Sequence, residues 1–280
     1  MAVKKAKITI LMDNTAAVPS LTAEHGLSMW IEIGDRRILW DTGQSDAVFE
    51  NARQLGIDLS KADTIALSHG HYDHTGGLAK ALAIMPKATL YLHTQAMEAK
   101  YSLKNGQFRP VGMSRQSQLA VLEKDITGSV VFMTQKTDLG EGLMLTGPVL
   151  RRTPYEDTGG LFYKDPKGAA ADDLPDDQSL FFECSKGIVV VLGCAHSGVV
   201  NILNAVADWT NSPKIYAVLG GMHLIRADSK RIEETLNVFK RFDIQKIAPL
   251  HCTGPKAIQQ LKEVFGDRYL SLGAGASLCF

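Results

Sequence analysis

The 280-residue sequence has no net charge, few cysteines and no long apolar run. Lys and Arg number 30 together, as do Asp and Glu, which argues against a broad phosphate-binding face and against nucleic acid as a partner. No apolar stretch approaches the roughly 20 residues that span a bilayer, and the N-terminal residues lack the apolar core of a signal peptide. We therefore expect a cytoplasmic protein that binds neither nucleic acid nor membrane.

The cysteines are scattered along the chain and form no CxxC pair. Their spacing argues against a disulfide framework and against a zinc site built from thiolates alone. The chain is long enough to bury a substantial core, and no repeat or low-complexity linker divides it. We expect a single domain over residues 1–280. The four cysteines are Cys184, Cys194, Cys252 and Cys279.

Three histidines and one aspartate fall within six residues, in the segment Ser68-His69-Gly70-His71-Tyr72-Asp73-His74. A role in an apolar core does not explain so many ionisable groups so close together, whereas imidazole and carboxylate are ligands that zinc and related metals prefer. The apolar residues 64–67 precede the segment, and a helical pattern begins at Leu78. The cluster therefore lies at the end of a buried strand, where open α/β sheets place ligands.

Four more predicted strands end in residues that can carry acid–base or metal chemistry. Glycines flank these residues and would let a ligand approach the backbone closely. Six of the eight histidines therefore lie at strand ends, and we expect them to form one site. The strands and the residues that follow them are 37–40 with Asp41, 188–192 with Cys194 and His196, 215–219 with His223, and 246–250 with His251.

Hydrophobic periodicity predicts an α/β domain, because strands come first and strand–helix alternation follows without a linker. Residues 98–128 and 151–178 are poorly periodic, and we interpret both as irregular. The first of them is long enough to cover an active site. The predicted strands are 7–12, 27–33, 37–40, 64–67, 89–92, 180–183, 188–192, 215–219 and 246–250, and the predicted helices are 44–55, a segment from 78, and segments around 199–206, 232–239 and 258–265.

The spacing H-x-H-x-D-H resembles the signature of the metallo-β-lactamase superfamily of metal-dependent hydrolases. The resemblance implies an α/β fold, the αβ/βα sandwich, in which two packed β-sheets are flanked by helices. It also implies two divalent metal ions, zinc foremost, with manganese, iron or nickel as alternatives. The implied ligands are His69 and His71 for one metal, Asp73 and His74 for the other, and His196 and His251 to complete the two sets.

Three residues are assigned further roles on the same resemblance. Asp41 begins an Asp-Thr-Gly motif and is expected to be structural, with its carboxylate bonded to backbone near the metal loop. Catalytic roles are expected for Asp73 and for His223, which would bind substrate or act as a general acid.

The chain departs from the superfamily pattern in two places. The aspartate that usually bridges the metals is absent, because Cys194 stands in its place; Cys194, His196 or solvent could replace it, or Cys194 could be a small buried apolar residue. A histidine motif is also missing, and Asp176 or Asp177 could stand in for it or serve only in a turn.

The motifs S-H-G-H-Y-D-H-T-G-G, G-C-A-H-S-G, G-G-M-H-L and H-C-T-G are similar to one branch, the 7,8-dihydropterin-6-methyl-4-(β-D-ribofuranosyl)aminobenzene-5′-phosphate synthases. These join a pterin to an aminobenzene ribotide with loss of pyrophosphate.

We expect a metal-dependent hydrolase that activates water on a phosphate-bearing small molecule. The alternatives are the synthase reaction, lactone or thioester hydrolysis, and a non-catalytic metal- or ligand-binding module. A remote phosphate could bind Arg151, Arg152 or the basic residues of 100–115, unless these are solvated surface.

Overall fold

The computed structural model describes residues 5–212 and 214–280, so residues 1–4 and 213 of the predicted domain lie outside the described residues. Its strands form two large sheets and one small sheet. The strands are β1 (Ala6–Met12), β2 (Ser28–Ile33), β3 (Arg36–Trp40), β4 (Thr64–Ala66), β5 (Thr89–Leu92), β6 (Tyr101–Lys104), β7 (Gln107–Pro110), β8 (Val130–Phe132), β9 (Thr137–Asp138), β10 (Met144–Leu145), β11 (Phe162–Tyr163), β12 (Leu180–Cys184), β13 (Gly187–Leu192), β14 (Ile215–Gly221), β15 (Lys246–Leu250) and β16 (Ser277–Cys279).

Seven α-helices accompany these strands in the described part of the chain. Most of them follow a strand, as the alternation of patterns predicts. They are α1 (Ala47–Gln54), α2 (Tyr72–Thr75), α3 (Leu78–Ile84), α4 (Arg115–Ile126), α5 (Val199–Thr210), α6 (Ser229–Arg241) and α7 (Pro255–Phe265).

Each large sheet combines antiparallel strands with a run of parallel strands. The first has the order β16-β1-β2-β3-β4-β5-β8, and β3, β4, β5 and β8 are parallel. The second has the order β15-β14-β13-β12-β10-β9, and β13, β14 and β15 are parallel. The small sheet, β11-β6-β7, comes from the two segments predicted to be irregular. The carboxyl ends of the parallel strands carry the candidate site residues.

The core lies in three layers, because both large sheets are buried on both faces. Along β13, Val189 and Val191 pack between the two sheets, whereas Val190 and Leu192 pack with α5, α6 and α7. A strand covered on both faces is a continuous apolar run, which is why β13 is evident in the sequence. Helices α1, α3 and α4 cover the outer face of the first sheet. The αβ/βα sandwich expected from the sequence is therefore confirmed.

Residues 98–128 are not a loop, and this prediction is wrong. They form the β6–β7 hairpin and the twelve-residue helix α4. The buried face of α4 consists of Ser117, Val121 and Lys124, so the apolar stripe that identifies a packed helix is absent. The available signal is Ser114, whose side chain accepts a hydrogen bond from the backbone N–H of Ser117 and caps the helix.

Most other elements agree with the sequence predictions to within a few residues. The predicted strands 180–183 and 188–192 form the antiparallel pair β12 and β13, and Asp228 caps α6 by accepting a hydrogen bond from the N–H of Arg231. Residues 151–178 are largely irregular and contain only β11. Among the described helices, none combines the length and the apolar character needed to cross a bilayer.

Candidate metal centre

The site forms where the carboxyl ends of β4, β13, β14 and β15 meet. The loop after β4 carries His69, Gly70 and His71, and α2 then presents Asp73 and His74. Gly70 is required in this loop, because a Cβ atom there would lie 2.1 Å from the carbonyl oxygen of Ala96. Backbone packing therefore fixes the loop that holds half of the candidate ligands.

Three histidine rings form the first donor set, which we define as His69, His71 and His196. Nε2 of His69 lies 2.8 Å from Nδ1 of His71, and the ring of His196 lies 4.8 Å and 4.9 Å from these two rings. Nδ1 of His196 lies 2.7 Å from the carbonyl oxygen of Thr158, so it donates there. Its Nε2 is buried without a hydrogen-bond partner among the described residues. A cation between the rings would satisfy this nitrogen.

The second donor set consists of Asp73, His74 and His251. Oδ2 of Asp73 lies 3.2 Å from Nε2 of His251 and 3.9 Å from Nε2 of His74, and the two Nε2 atoms are 3.3 Å apart. Ligands on one tetrahedral zinc ion lie about 3.3–3.8 Å from each other. The three distances lie within about 0.1 Å of this range, so these atoms are close to the spacing of ligands on one cation.

Cys194 lies between the two sets. Its Sγ atom is 3.2 Å from Nε2 of His74 and 3.2 Å from Sγ of Cys252. It belongs both to a group with His69 and His196 and to a group with His74 and His251, in which all potential ligand atoms lie within 4.8 Å of one another. All four cysteines are free thiols.

Asp41 orients the second donor set. Its Oδ1 accepts the backbone N–H of Ser68 at 2.7 Å, and its Oδ2 accepts the hydroxyl of Ser68 and the Nδ1–H of His74, each at 2.7 Å. With Nδ1 engaged, His74 directs Nε2 at the site. The predicted structural role of Asp41, a carboxylate bonded to backbone near the metal loop, is confirmed.

The protonation of the rings follows from their surroundings. Burial lowers the pKa of His71 to about 3 and holds the pKa values of His69 and His196 well below the usual range. Burial also acts on His74, but the neighbouring Asp41 carboxylate outweighs it and raises the pKa to about 8. The first donor set therefore offers neutral rings at neutral pH, as metal ligation requires.

Four of the nine non-glycine residues with a positive φ in the described part of the chain lie at this site. Asp41, Ala195, His223 and His251 all have positive φ angles, between 43° and 56°. Non-glycine residues adopt this region at a cost of about 1–3 kcal/mol each, and they cluster at functional sites. The strain is borne at or beside residues that the sequence marks as functional.

His223 lies at the rim of the first donor set, half-buried. Its ring is 4.3 Å from that of His196, and its Nδ1 has no hydrogen-bond partner in the described part of the chain. Gly159 packs directly against it, since a Cβ atom there would lie 2.1 Å from Cδ2 of His223. His223 lines the cleft, and one of its ring nitrogens lies within 4.8 Å of the sulfur atoms of Cys194 and Cys252.

The open side is a cleft of about 640 Å³. The β6–β7 hairpin lines one wall, and Gly112 pairs with His71 through a backbone bridge. The segment 98–128 therefore borders the site, as predicted. Three cationic side chains line the cleft, and we call them the cationic rim: Lys104, Arg109 and Arg226.

The other predicted basic residues have different positions. Nε of Arg151 donates to the carbonyl oxygen of His196 at 3.1 Å, and its guanidinium also binds the carbonyl oxygen of Asp173. Arg152 is exposed beside Asp208 and does not line the cleft. Arg151 thus supports a ligand-bearing loop, and Arg152 is a solvated surface residue.

Asp176 and Asp177 support the donor sets from outside. Asp176 accepts the N–H of Gly70 at 2.8 Å and forms an ion pair with buried Lys100 at 2.9 Å, while Asp177 accepts the N–H of Ser197 at 2.8 Å. Neither is a member of the ligand groups found among the described residues. Each carboxylate holds one ligand-bearing loop in place.

His25 and Lys100 have positions that the sequence did not predict, and Lys100, one of the basic residues of 100–115 considered for phosphate binding, does not line the cleft. Nε2 of His25 lies 3.1 Å from Oδ2 of Asp73, although the imidazole is half exposed. Lys100 is buried between Asp172 and Asp176. His25 lies in an irregular segment between β1 and β2, and a buried lysine has no sequence signature, so only the fold brings them to the site.

Comparison with known proteins identifies the family. A model of the metallo-beta-lactamase superfamily matches residues 21–231. The chain belongs to the metallo-β-lactamase superfamily. Within it, the chain is 30% identical to 7,8-dihydropterin-6-methyl-4-(beta-D-ribofuranosyl)-aminobenzene-5'-phosphate synthase of Methanocaldococcus jannaschii, over 98% of this chain and 96% of that protein. The resemblance found in the sequence is confirmed.

Solved structures of the superfamily agree with the fold. The crystal structure of Tm1679, a metal-dependent hydrolase of the beta-lactamase superfamily, is 31% identical, covers 98% of both chains and has a TM-score of 0.81. The metallo-beta-lactamase fold protein YhfI from Bacillus subtilis is 13% identical over 99% of this chain and 100% of that chain, with a TM-score of 0.55, and supports the fold alone.

Proposed function

We propose that this protein is a metal-dependent hydrolase that uses two divalent cations to activate water on a phosphate-bearing small molecule. The observation that carries the proposal is the pair of adjacent donor sets at the base of a cleft, with ligand spacings of 3.2–3.9 Å in the second set. The first set would hold one cation through His69, His71 and His196. The second would hold the other through Asp73, His74 and His251.

The donor chemistry fits this assignment. Five imidazoles and one carboxylate suit zinc foremost, and manganese, iron or nickel as alternatives. His196 supplies a buried Nε2 without a partner among the described residues. Bound here, two cations would lower the pKa of a water molecule to near neutrality and stabilise charge on a phosphoryl oxygen.

The chain supplies the remaining functions itself. His223 borders both the cleft and the first donor set, so its imidazole would protonate the leaving group or hold the phosphate. Asp73 would act both as ligand and in orienting the reacting water, because its buried carboxylate faces the cleft. Hydrogen bonds from His25 and His251 outweigh burial and hold the pKa of Asp73 well below its usual range.

The cationic rim favours a phosphate. Lys104, Arg109 and Arg226 line the cleft, and Arg readily binds phosphate in bidentate fashion. We propose that residues 1–280 form one domain, which acts in the cytoplasm on a small-molecule substrate. We propose neither nucleic acid nor a membrane as its partner. The cleft volume of about 640 Å³ is of the size that such ligands occupy.

A second candidate is the synthase reaction. Its support is the 30% identity to the M. jannaschii synthase over nearly the whole length of both chains. Incubation with an activated dihydropterin and the aminobenzene ribotide 5′-phosphate, with measurement of released pyrophosphate, separates it from hydrolysis. Product formation without net hydrolysis of phosphoesters would replace the hydrolase proposal by the synthase.

Two further alternatives share the metal site. Lactone or thioester hydrolysis would need no cationic rim, so substitution of the rim would leave such an activity unchanged. A non-catalytic binding module would bind metal but turn over no substrate in any class. A panel of phosphomonoesters, phosphodiesters, lactones and thioesters distinguishes these two alternatives from phosphoester hydrolysis.

The decisive experiment combines metal content with turnover. Protein purified without added metal is reconstituted with Zn, Mn, Fe or Ni, and metal per chain is measured beside activity on the panel. Near two metals per chain with activity on one phosphoester class supports the proposal. His71→Ala should abolish turnover while circular dichroism and the melting temperature show a folded chain; retained activity in this variant would refute the mechanism.

A matched pair of variants tests the phosphate site. Arg109→Ala should raise KM by about tenfold to a hundredfold, because a charge-assisted hydrogen bond contributes about 1.5–3 kcal/mol. Arg152→Ala removes an exposed arginine outside the cleft and should leave KM unchanged. Equal effects of the two substitutions would remove the cationic rim from the proposal.

A further inference from the structure

Beside the six residues of the two donor sets lies a seventh potential ligand, the sulfur of Cys194. Its Sγ lies 3.2 Å from Nε2 of His74, which is close to the spacing of two ligands on one cation. The same atom lies within 4.8 Å of the potential ligand atoms of His69 and His196, in the other set. One side chain therefore reaches both positions.

We propose that Sγ of Cys194 is a metal ligand shared by both cation positions, in place of the bridging carboxylate expected from the superfamily pattern. The inference rests on the proposed function, because it requires two bound cations. A shared Cys194 would add one soft thiolate to the imidazole ligands. Both cation positions should therefore prefer zinc-like ions over manganese.

The backbone around Cys194 holds the sulfur in this place. A Cβ atom at Gly193 would lie 2.1 Å from Cβ of Ser68, and Ala195 has a positive φ of 56°. On the other side, a Cβ atom at Gly221 would lie 2.7 Å from Sγ of Cys252 and 3.4 Å from Cα of Cys194. The loop is thus wedged between the metal loop and β14, and the strained turn directs the thiol at the rings.

A comparison with Cys184 argues against a purely apolar role. Cys184 is buried in the cluster between the two sheets and packs with apolar side chains. Cys194 is equally buried, yet it is not a member of the apolar clusters of the described residues. Its neighbours are the imidazole of His74 and the thiol of Cys252. The environment of the Cys194 side chain is therefore typical of a metal ligand and not of an apolar core residue.

Cys252 provides a matched control. Its thiol can donate to Sγ of Cys194 at 3.2 Å, and it forms a group of potential ligands with Cys194 and His223, so it is the alternative source of a thiolate. Substitution of Cys252 leaves the Cys194 sulfur between the two donor sets. Substitution of Cys194 removes that sulfur and leaves only the Cys252 sulfur, which does not lie between them. The two single variants therefore separate a bridging ligand from its hydrogen-bond partner.

The experiment is a cobalt titration of metal-free full-length protein. All samples carry Cys279→Ser, because that thiol is exposed and could bind cobalt adventitiously. The thiolate-to-cobalt charge-transfer absorption in the near ultraviolet is recorded up to two cobalt ions per chain. We expect it to rise through both equivalents in the Cys279→Ser protein and in Cys252→Ser, and to vanish in Cys194→Ser.

A carboxylate variant gives an independent measurement. Cys194→Asp should still bind two cations, since it restores the usual bridge, but without the charge-transfer absorption. Its preference for zinc over manganese, measured by competition, should fall by more than tenfold relative to the parent protein, because the soft ligand is lost. Circular dichroism of each variant verifies folding.

Three results would overturn the inference. Absorption that stops rising at one cobalt per chain would make Cys194 a terminal ligand, and absorption kept in Cys194→Ser but lost in Cys252→Ser would assign the ligand to Cys252. Two cobalt ions bound without any charge transfer would refute the thiolate while leaving the two-cation function intact. A parent protein that binds no cobalt at all would instead refute the proposed function itself.

Discussion

Nδ1 of His74 lies 2.7 Å from Oδ2 of Asp41, and both side chains are completely buried. The carboxylate also binds the backbone and hydroxyl of Ser68, so one aspartate fixes both the loop and the imidazole orientation. Because Nδ1 is committed to Asp41, only Nε2 of His74 remains for a cation. This pair links the end of β3 to the second donor set.

Asp41→Asn should weaken cation binding at the second donor set by about 10–100-fold, as loss of an outer carboxylate partner typically does. The first donor set is linked to Asp41 only through Ser68, whose hydroxyl lies 2.9 Å from Nδ1 of His69, so its affinity should fall less. Isothermal titration calorimetry with zinc on metal-free protein measures both steps. Asp46→Asn, which changes an exposed aspartate paired with Lys80, is the control and should behave as wild type. Equal weakening of both steps would contradict this division.

Cation binding at the second donor set should depend on pH through His74. Since the pKa of this ring is raised to about 8 in the metal-free protein, a proton occupies it at neutral pH and must leave when a cation binds. Below pH 8 the His74 proton should lower the apparent affinity by about tenfold per pH unit, and this contribution of His74 should level off above pH 8. Calorimetry in buffers of different ionisation enthalpy measures the released proton. Binding independent of pH between 6 and 8 would show that His74 is not a ligand.

Lys100→Met should destabilise the fold strongly. Lys100 is buried between Asp172 and Asp176, at 3.1 Å and 2.9 Å, and its removal leaves two buried carboxylates without their cation. Loss of one partner of a buried ion pair costs about 3–5 kcal/mol. Urea unfolding measures the free energy. Lys164→Met breaks the exposed pair with Glu98 and should cost at most about 1 kcal/mol; similar losses in both variants would contradict the prediction.

Gly159→Ala should reduce turnover without loss of metal. The added Cβ atom would lie 2.1 Å from Cδ2 of His223, so the imidazole must move. A displacement of about 1 Å in a reacting group can cost about a hundredfold in rate. Gly56→Ala is the matched control, because Gly56 has a similar positive φ but open space around it. Steady-state kinetics and metal content are measured for both; a change confined to metal content would place His223 among the ligands instead.

Apolar patterns in the sequence predicted the buried strands and the residues that follow them, whereas the αβ/βα sandwich was implied only by the resemblance to the superfamily. Parallel strands buried on both faces are continuous apolar runs, and His196 and His251 follow such runs directly. Helix α4 was missed because its buried face contains Ser117 and Lys124 beside a single valine. Asp176 was predicted as a possible ligand because sequence shows its charge, while its partner Lys100 is evident only in the fold.

Cys194 shows the limit most directly. A lone cysteine after a strand is equally compatible with a small apolar residue and with a ligand. What separates the two is the set of distances to His74 and to the first donor set, and these arise from the packing of one sheet against the other. No local pattern encodes that packing.

The candidate ligands come from both sheets, and this has a consequence for how the protein matures. His74 and His251 are 177 residues apart in the sequence, yet their Nε2 atoms lie 3.3 Å apart. Contacts of such separation close late, after the loop entropy between them has been overcome. The early histidine segment would therefore leave the ribosome long before its partners exist, and only a chain that has completed its last parallel strand could retain both proposed cations. Tight binding of both metal ions would then indicate that the chain has completed folding.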